Sequence, residues 1–156
     1  MLRLATLSLL ALTLAVPAFA DDRHAGYYYP TPETTEVYEA RTDVDAAADR
    51  SARIAFAIEM TAGIMSRPHA PDYALFVKGA EAEKLIIVAL RNGVIDTLYQ
   101  GRALLALLTG IVRDTELFRE MGVQDYFTFF DLARLLGFEQ LTISDGRTWA
   151  HQVKFE

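Results

Sequence analysis

Histidine is the side chain best suited to move protons near neutral pH, and the sequence holds three: His24, His69 and His151. None of them begins the H-E-x-x-H pattern, in which two imidazoles share one helix face and bind zinc. His151 follows Trp149 by two residues in the last predicted strand, so the two side chains share one face of the sheet. This position favours a packed, hydrogen-bonded histidine, with a catalytic base or a binding group as the alternative. We predict no metal site.

Charged side chains of both signs alternate in the loop of a predicted hairpin. The loop carries Lys78, Glu81, Glu83 and Lys84. Such alternation is typical of a solvated loop, and it also suits a small polar recognition edge. We therefore treat these four residues as candidate binding residues, together with His151.

Residues 21–35, with the sequence DDRHAGYYYPTPETT, are polar and contain two prolines, which fix backbone angles and withhold hydrogen-bond donors. We predict an extended N-terminal arm here. Its three adjacent tyrosines, Tyr27, Tyr28 and Tyr29, combine apolar area with a polar tip. They are candidate binding residues that would dock the arm either onto its own domain or onto a partner.

Several catalytic classes lack their defining motifs in this sequence. None of the nine glycines precedes a lysine and no two are spaced G-x-G, so the P-loop and the dinucleotide fingerprint are both missing. No serine lies in G-x-S-x-G, and the lack of cysteine removes thiolate catalysis, zinc ribbons and iron-sulfur clusters. We predict no cofactor and favour a protein that is not an enzyme.

The formal net charge of −6 argues against nucleic acid as a partner, because no stretch clusters the Lys and Arg residues that displace counterions from phosphates. Residues 1–20 have a single charge, Arg3, an apolar run over residues 4–16, and the small-residue ending AFA. This layout is typical of a secretory signal peptide. We predict cleavage after Ala20, export to the periplasm, and no membrane association of the mature chain.

Hydrophobic periodicity divides the rest of the chain into strands and helices. Apolar or alternating runs predict strands at residues 35–41, 73–77 and 85–90, and a closing hairpin over residues 140–155 with a two-residue turn at Asp145-Gly146. Spacings of three to four residues predict helices from Asp43 or Asp45 to 66, from Asp96 to 113, from 115 to 122, and from 125 to 136.

The order of these elements predicts one α+β domain over residues 36–156, behind the signal peptide and the arm. Its sheet has four to five mainly antiparallel strands and packs with about three helices. The run LIIVAL is apolar at every position, which predicts a central strand covered on both faces. The aromatic residues between 126 and 130 are predicted to belong to the core.

Three segments carry a resemblance to a known family: KGAEAEKLIIVALRNGVIDTLYQGRALLALLTG, DYFTFFDLARLLGF and the closing ISDG...AHQV. Over nearly the whole mature chain they resemble a family of small exported bacterial proteins. Members of that family sometimes carry the label molybdopterin-guanine dinucleotide biosynthesis protein A. The label implies a relative of the molybdenum-cofactor nucleotidyltransferases, which hold GTP in a glycine-rich N-terminal loop that this sequence lacks.

Three hypotheses for function follow. The first is a non-enzymatic periplasmic binding module. It would contact a protein or small-molecule partner through the tyrosines and the Lys78–Lys84 loop. The second is a small exported hydrolase that uses a carboxylate or His151 in a cleft. The third is the nucleotidyltransferase relative that the resemblance implies. A deep pocket with His151 beside a carboxylate would favour the second, and a flat apolar surface beside the tyrosines would favour the first.

Overall fold

The structure is a computed structural model that describes residues 30–156. The predicted signal peptide and most of the arm, including Tyr27, Tyr28 and Tyr29, lie outside the described residues. Within residues 30–156 the elements are β1 (Thr34–Tyr38), α1 (Arg50–Met65), β2 (Tyr73–Lys78), β3 (Lys84–Ala89), α2 (Leu98–Arg113), α3 (Glu116–Met121), α4 (Phe129–Leu135), β4 (Gln140–Ser144) and β5 (Ala150–Phe155).

The five strands form one sheet in the spatial order β1-β5-β4-β3-β2. The two predicted hairpins, β2–β3 and β4–β5, are antiparallel, whereas β1 runs parallel to β5 and β3 runs parallel to β4. Parallel neighbours require a long crossover, and the segment from α2 to α4 provides it between β3 and β4. The predicted fold class, a single α+β domain, is confirmed, with the two hairpins joined into a mixed sheet.

Strand β3 is an interior strand, as its uninterrupted apolar sequence predicts. It lies between β2 and β4. Leu85, Ile86 and Ile87 point alternately to the two faces of the sheet, yet all three are 0% exposed. Both faces of the sheet are therefore buried at this strand.

Helix starts follow the capping residues and differ from the predicted starts. Helix α1 begins after Asp49, whose backbone is extended and whose carboxyl group accepts a hydrogen bond from the first turn. Neither Asp43 nor Asp45 caps it, because Asp45 instead binds a backbone N–H in a turn of its own. Thr97, and not Asp96, caps α2. None of the helices of residues 30–156 has the length and apolar character needed to cross a bilayer.

The β4–β5 connection is wider than the predicted two-residue turn. Ser144 pairs with Ala150, so five residues connect the strands. The carboxyl group of Asp145 accepts hydrogen bonds from three backbone N–H groups of this loop and from the hydroxyl of Thr148. Burial by itself would raise the pKa of Asp145, but these hydrogen bonds together hold the pKa below its usual value.

The main core lies on one face of the sheet, and residues of all four helices contribute to it. The strand residues of this core are Tyr73, Leu75, Leu85, Ile87, Leu141, Ile143, Val153 and Phe155. Phe127 and Phe129 are buried in it and Phe130 is partly buried, which confirms most of the predicted aromatic core. Tyr126 differs, because its side chain is 53% exposed.

Candidate functional site

A polar groove of about 530 Å³ lies between β1, α2 and the start of α4. Its polar lining consists of Glu36, Tyr38, Arg41, Arg102, Thr109, Arg113 and Thr128. Leu105 and Phe130 add apolar wall. Two other grooves of about 450 and 420 Å³ are lined mainly by aliphatic side chains of α1 and its neighbours. We take the polar groove as the candidate site, because ligand sites combine apolar walls with a few convergent polar groups.

One stripe of helix α2 forms a wall of the groove. Arg102, Ala106, Gly110 and Arg113 recur at three- to four-residue spacing and therefore share a helix face. The two middle residues are small, and a Cβ atom added at Gly110 would meet no heavy atom within 4 Å. The groove is therefore open beside the middle of this stripe, and a guanidinium group lies at each end of the stripe.

Each of the three groove arginines has a contact that orients it. The Nη2 of Arg102 lies 3.0 Å from a carboxyl oxygen of Glu36. Arg113 donates from its Nε to the carbonyl oxygen of Phe127 at 3.0 Å, and has no carboxylate partner in the described part of the chain. Arg41 donates to a backbone carbonyl in the loop before α4. A guanidinium group has five N–H donors, so each arginine retains donors for a ligand.

Asp131 lies fully buried beneath the groove and connects the end of β1 to α4. Its carboxyl oxygens accept hydrogen bonds from the Tyr38 hydroxyl at 3.1 Å, the Arg41 backbone at 2.9 Å, and both the backbone and the hydroxyl of Thr128 at 2.7 and 2.9 Å. Thr128 in turn accepts from the backbone of Asp131, which completes a capping box. This box starts α4 at Phe129, four residues later than the sequence pattern predicts.

Tyr38 contributes a hydroxyl to both the groove and the Asp131 cluster. Burial raises the pKa of this hydroxyl; the hydrogen bond with Thr128 opposes the rise and the neighbouring Asp131 adds to it. The ring packs on Phe130 with a centroid separation of 4.7 Å. Tyr38 is therefore held as a neutral phenol in a fixed orientation.

His151 lies behind the groove, where β5 pairs with β1, and is 2% exposed. Its Nδ1 is hydrogen-bonded to the Thr34 hydroxyl at 2.7 Å, and its ring stacks on Trp149. Its Nε2 lies 3.3 Å from a carboxyl oxygen of Glu36 but is not aligned for a hydrogen bond, and has no other partner among residues 30–156. His151 thus contacts a residue of the groove without lining the groove itself.

The hairpin loop with the other predicted binding residues is remote from the groove. Lys78 and Lys84 face each other across the β2–β3 pair, and their strands lie three and two positions away from β5, which carries His151. Glu83 accepts a hydrogen bond from the backbone of Glu81, whose own carbonyl oxygen binds an arginine of α1 at 2.9 Å. The loop is thus tied to α1, and the structure does not bring it together with His151.

Sequence reasoning missed the arginines and Glu36. The spacing of Arg102 and Arg113, eleven residues apart on one helix, was a signal that both share a helix face. Glu36 and Arg41 gave no local signal, because only the parallel pairing of β1 with β5 brings their segment next to α2.

Within residues 30–156, no group of three or more His, Cys, Asp or Glu side chains is placed to hold a metal ion. The chain matches no protein-family model, no curated protein and no solved structure. The predicted family resemblance therefore stays a prediction, and GTP binding measured by calorimetry would test the nucleotidyltransferase function that it implies.

Proposed function

We propose that this protein is exported to the periplasm and acts there as a non-enzymatic module that binds a small organic anion. The observation that carries the proposal is the groove of about 530 Å³ lined by Arg41, Arg102 and Arg113. The layout of residues 1–20 supports export.

The lining of the groove matches the chemistry of an organic acid or phosphate ester. Guanidinium groups bind carboxylates and phosphates through paired N–H donors, and they do so at fixed geometry. Tyr38 and Thr128 add hydroxyl groups, while Leu105 and Phe130 offer apolar surface to the rest of the ligand. Glu36 is an acceptor beside Arg102 and would select a ligand that also carries a donor.

Calorimetric titration of the chain with citrate, benzoate and phenyl phosphate tests this proposal. We expect at least one of these anions to bind saturably. The double substitution Arg102→Gln and Arg113→Gln should weaken that binding about tenfold or more, because charge-assisted hydrogen bonds are lost.

Arg91→Gln is the matched control for that experiment. The Arg91 side chain is 60% exposed and pairs with Asp72 outside the groove, much as the 62% exposed Arg102 pairs with Glu36 inside it. The control should bind the anion as the unsubstituted chain does. Equal weakening by both variants, or no saturable binding of any of the three anions, would contradict the proposal.

A second candidate function, ester hydrolysis, is favoured by the arrangement around His151. The imidazole lies between the Thr34 hydroxyl, at 2.7 Å, and the Glu36 carboxyl group, at 3.3 Å, which is the order of nucleophile, base and carboxylate in hydrolases. Thr34→Val keeps the shape of the side chain and removes the nucleophile. If this candidate is correct, Thr34→Val abolishes hydrolysis of a p-nitrophenyl ester; a rate equal to that of the unsubstituted chain excludes it.

A further inference from the structure

The face of the sheet that points away from the helices carries three rows of side chains, set by the cross-strand pairs. The first row is Ala74, Val88, Ser144 and Ala150; the second is Phe76, Ile86, Thr142 and Gln152; the third is Lys78, Lys84, Gln140 and Lys154. We call these twelve residues the second face. Its first two rows are mostly apolar or small, and its third row is basic.

The burial of the second face does not come from the helices of the described chain. Ile86, Thr142 and Ala150 are 0% exposed and Val88 is 9% exposed. The core cluster contains residues of all four helices, but its strand residues come from the other face, and it includes none of these four. Within residues 30–156, the helices therefore pack on one side of the sheet only.

One polar group of the second face is buried without a hydrogen bond. The hydroxyl of Thr142 has no partner among residues 30–156, although the residue is 0% exposed. Buried hydroxyls in native proteins are nearly always bonded. The occupant of the second face should therefore combine apolar area with a polar group.

We propose that the segment of residues 21–29, DDRHAGYYY, covers the second face in the mature protein. The described chain begins at Pro30, and the backbone N–H of Glu33 already donates to the carbonyl oxygen of Ala150 at 2.9 Å, beside the first row. Nine extended residues reach about 30 Å, whereas the three rows span about 13 Å along the strands and five strands span about 19 Å across the sheet. The segment is long enough to cross all three rows.

Along the segment, the residue types match the rows of the second face in order. The tyrosines are nearest to Pro30 and meet the first two rows, and the alanine and serine side chains of the first row leave room for rings. A tyrosine hydroxyl is a suitable partner for Thr142. Asp21 and Asp22 are farthest from Pro30 and reach the lysine row, where opposite charges attract.

Engineered disulfides test the proposal, because the chain has no cysteine of its own. Each of Tyr27, Tyr28 and Tyr29 is replaced by Cys in turn and combined with Val88→Cys, and the chain is purified after export. We expect at least one pair to form an intramolecular disulfide under mild oxidation, measured by mass spectrometry. The matched control uses Ile58→Cys, which is 62% exposed on α1, and should form none.

Thiol labelling gives a second readout that requires no crosslink. In a chain with Val88→Cys alone, replacing all three tyrosines by serine should speed labelling of the thiol about tenfold or more, because its cover is weakened. An unchanged labelling rate would overturn the proposal. Disulfide-linked dimers in place of the intramolecular bond would overturn it as well, since they would assign the second face to another copy of the chain.

Discussion

Two buried polar clusters flank β1, and they differ in how completely their hydrogen bonds are formed. Asp131, at 0% exposure, accepts four hydrogen bonds from Tyr38, Arg41 and Thr128. His151, at 2% exposure, is bonded to the Thr34 hydroxyl, and its Nε2 is without a hydrogen bond in the described chain. The first cluster lies beneath the groove and the second lies behind Glu36.

This difference in hydrogen bonding indicates different roles for the two clusters. A fully bonded buried carboxyl group fixes the backbone around it, because any movement leaves donors unpaired in a low dielectric. The Glu36 side chain pairs with Arg102 and lies beside the unbonded Nε2 of His151, so fewer hydrogen bonds hold this side of the groove. We infer that the Asp131 cluster holds the shape of the groove and that the Glu36 side of it responds to the ligand.

Asp131→Asn should cause the largest loss of stability. The amide presents N–H donors to groups that are themselves donors, so about 3 kcal/mol of unfolding free energy should be lost. Urea denaturation measures this loss. The control is Asp125→Asn, an exposed residue of the same segment, which should change the free energy by less than about 0.5 kcal/mol. If the two variants lost similar amounts of unfolding free energy, the Asp131 cluster would not be what holds the shape of the groove.

Asp145→Asn tests whether complete bonding also matters at a less buried carboxyl group. We expect a loss of about 1 to 2 kcal/mol at pH 7, because four donor groups are hydrogen-bonded to the Asp145 carboxyl group. The pKa of Asp145 is lower in the folded chain than in the unfolded chain, so its stabilisation is present above about pH 4 and is lost as the pH falls further. Urea midpoints from pH 7 to pH 2.5 should therefore converge for the two proteins, and a gap that persists at pH 2.5 contradicts this explanation.

Tyr38→Phe removes one donor from Asp131 and should cost about 1 kcal/mol at pH 7. The pKa of Tyr38 is higher in the folded chain than in the unfolded chain, mainly through burial. The stabilisation from this hydroxyl is therefore complete below about pH 10 and is lost as the pH rises through the folded pKa. In thermal unfolding, the stability difference between the unsubstituted chain and Tyr38→Phe should be smaller at pH 11 than at pH 7. A constant difference would contradict the role of this hydroxyl.

His151→Leu should have the smallest effect, a loss of no more than about 1 kcal/mol. The substitution removes one hydrogen bond with Thr34, but it replaces an incompletely bonded ring by an apolar side chain in a buried position. Urea denaturation of His151→Leu and Asp131→Asn under the same conditions compares their losses of unfolding free energy directly. A loss as large as that of Asp131→Asn would show that the two clusters are equally structural.

The local sequence predicted most of the fold. Alternation and apolar runs placed both hairpins, and the unbroken run in β3 predicted an interior strand. Helix starts were less predictable, because Asp43, Asp45 and Asp49 can all serve as caps in principle. Only the tertiary structure determines that Asp49 is extended at the start of α1 while Asp45 closes a separate turn.

The candidate site was much less predictable, because it is made by contacts between segments that are far apart in the sequence. Thr34 and His151 are 117 positions apart, and Glu36 and Arg102 are 66 positions apart. Local patterns contain no information about the parallel pairing of β1 with β5. They did identify His151 as a packed strand histidine, and the structure confirms that it is buried and hydrogen-bonded.

The most direct test of anion binding in the groove is a titration of the chain with the anion that binds in calorimetry, followed in NMR spectra by the Nε–H signals of the arginine side chains. We expect saturable shifts of the Arg102 and Arg113 signals, with the Arg91 signal unchanged as an internal control. Shifts that grow linearly without saturation, or shifts of equal size at Arg91, would contradict anion binding in the groove.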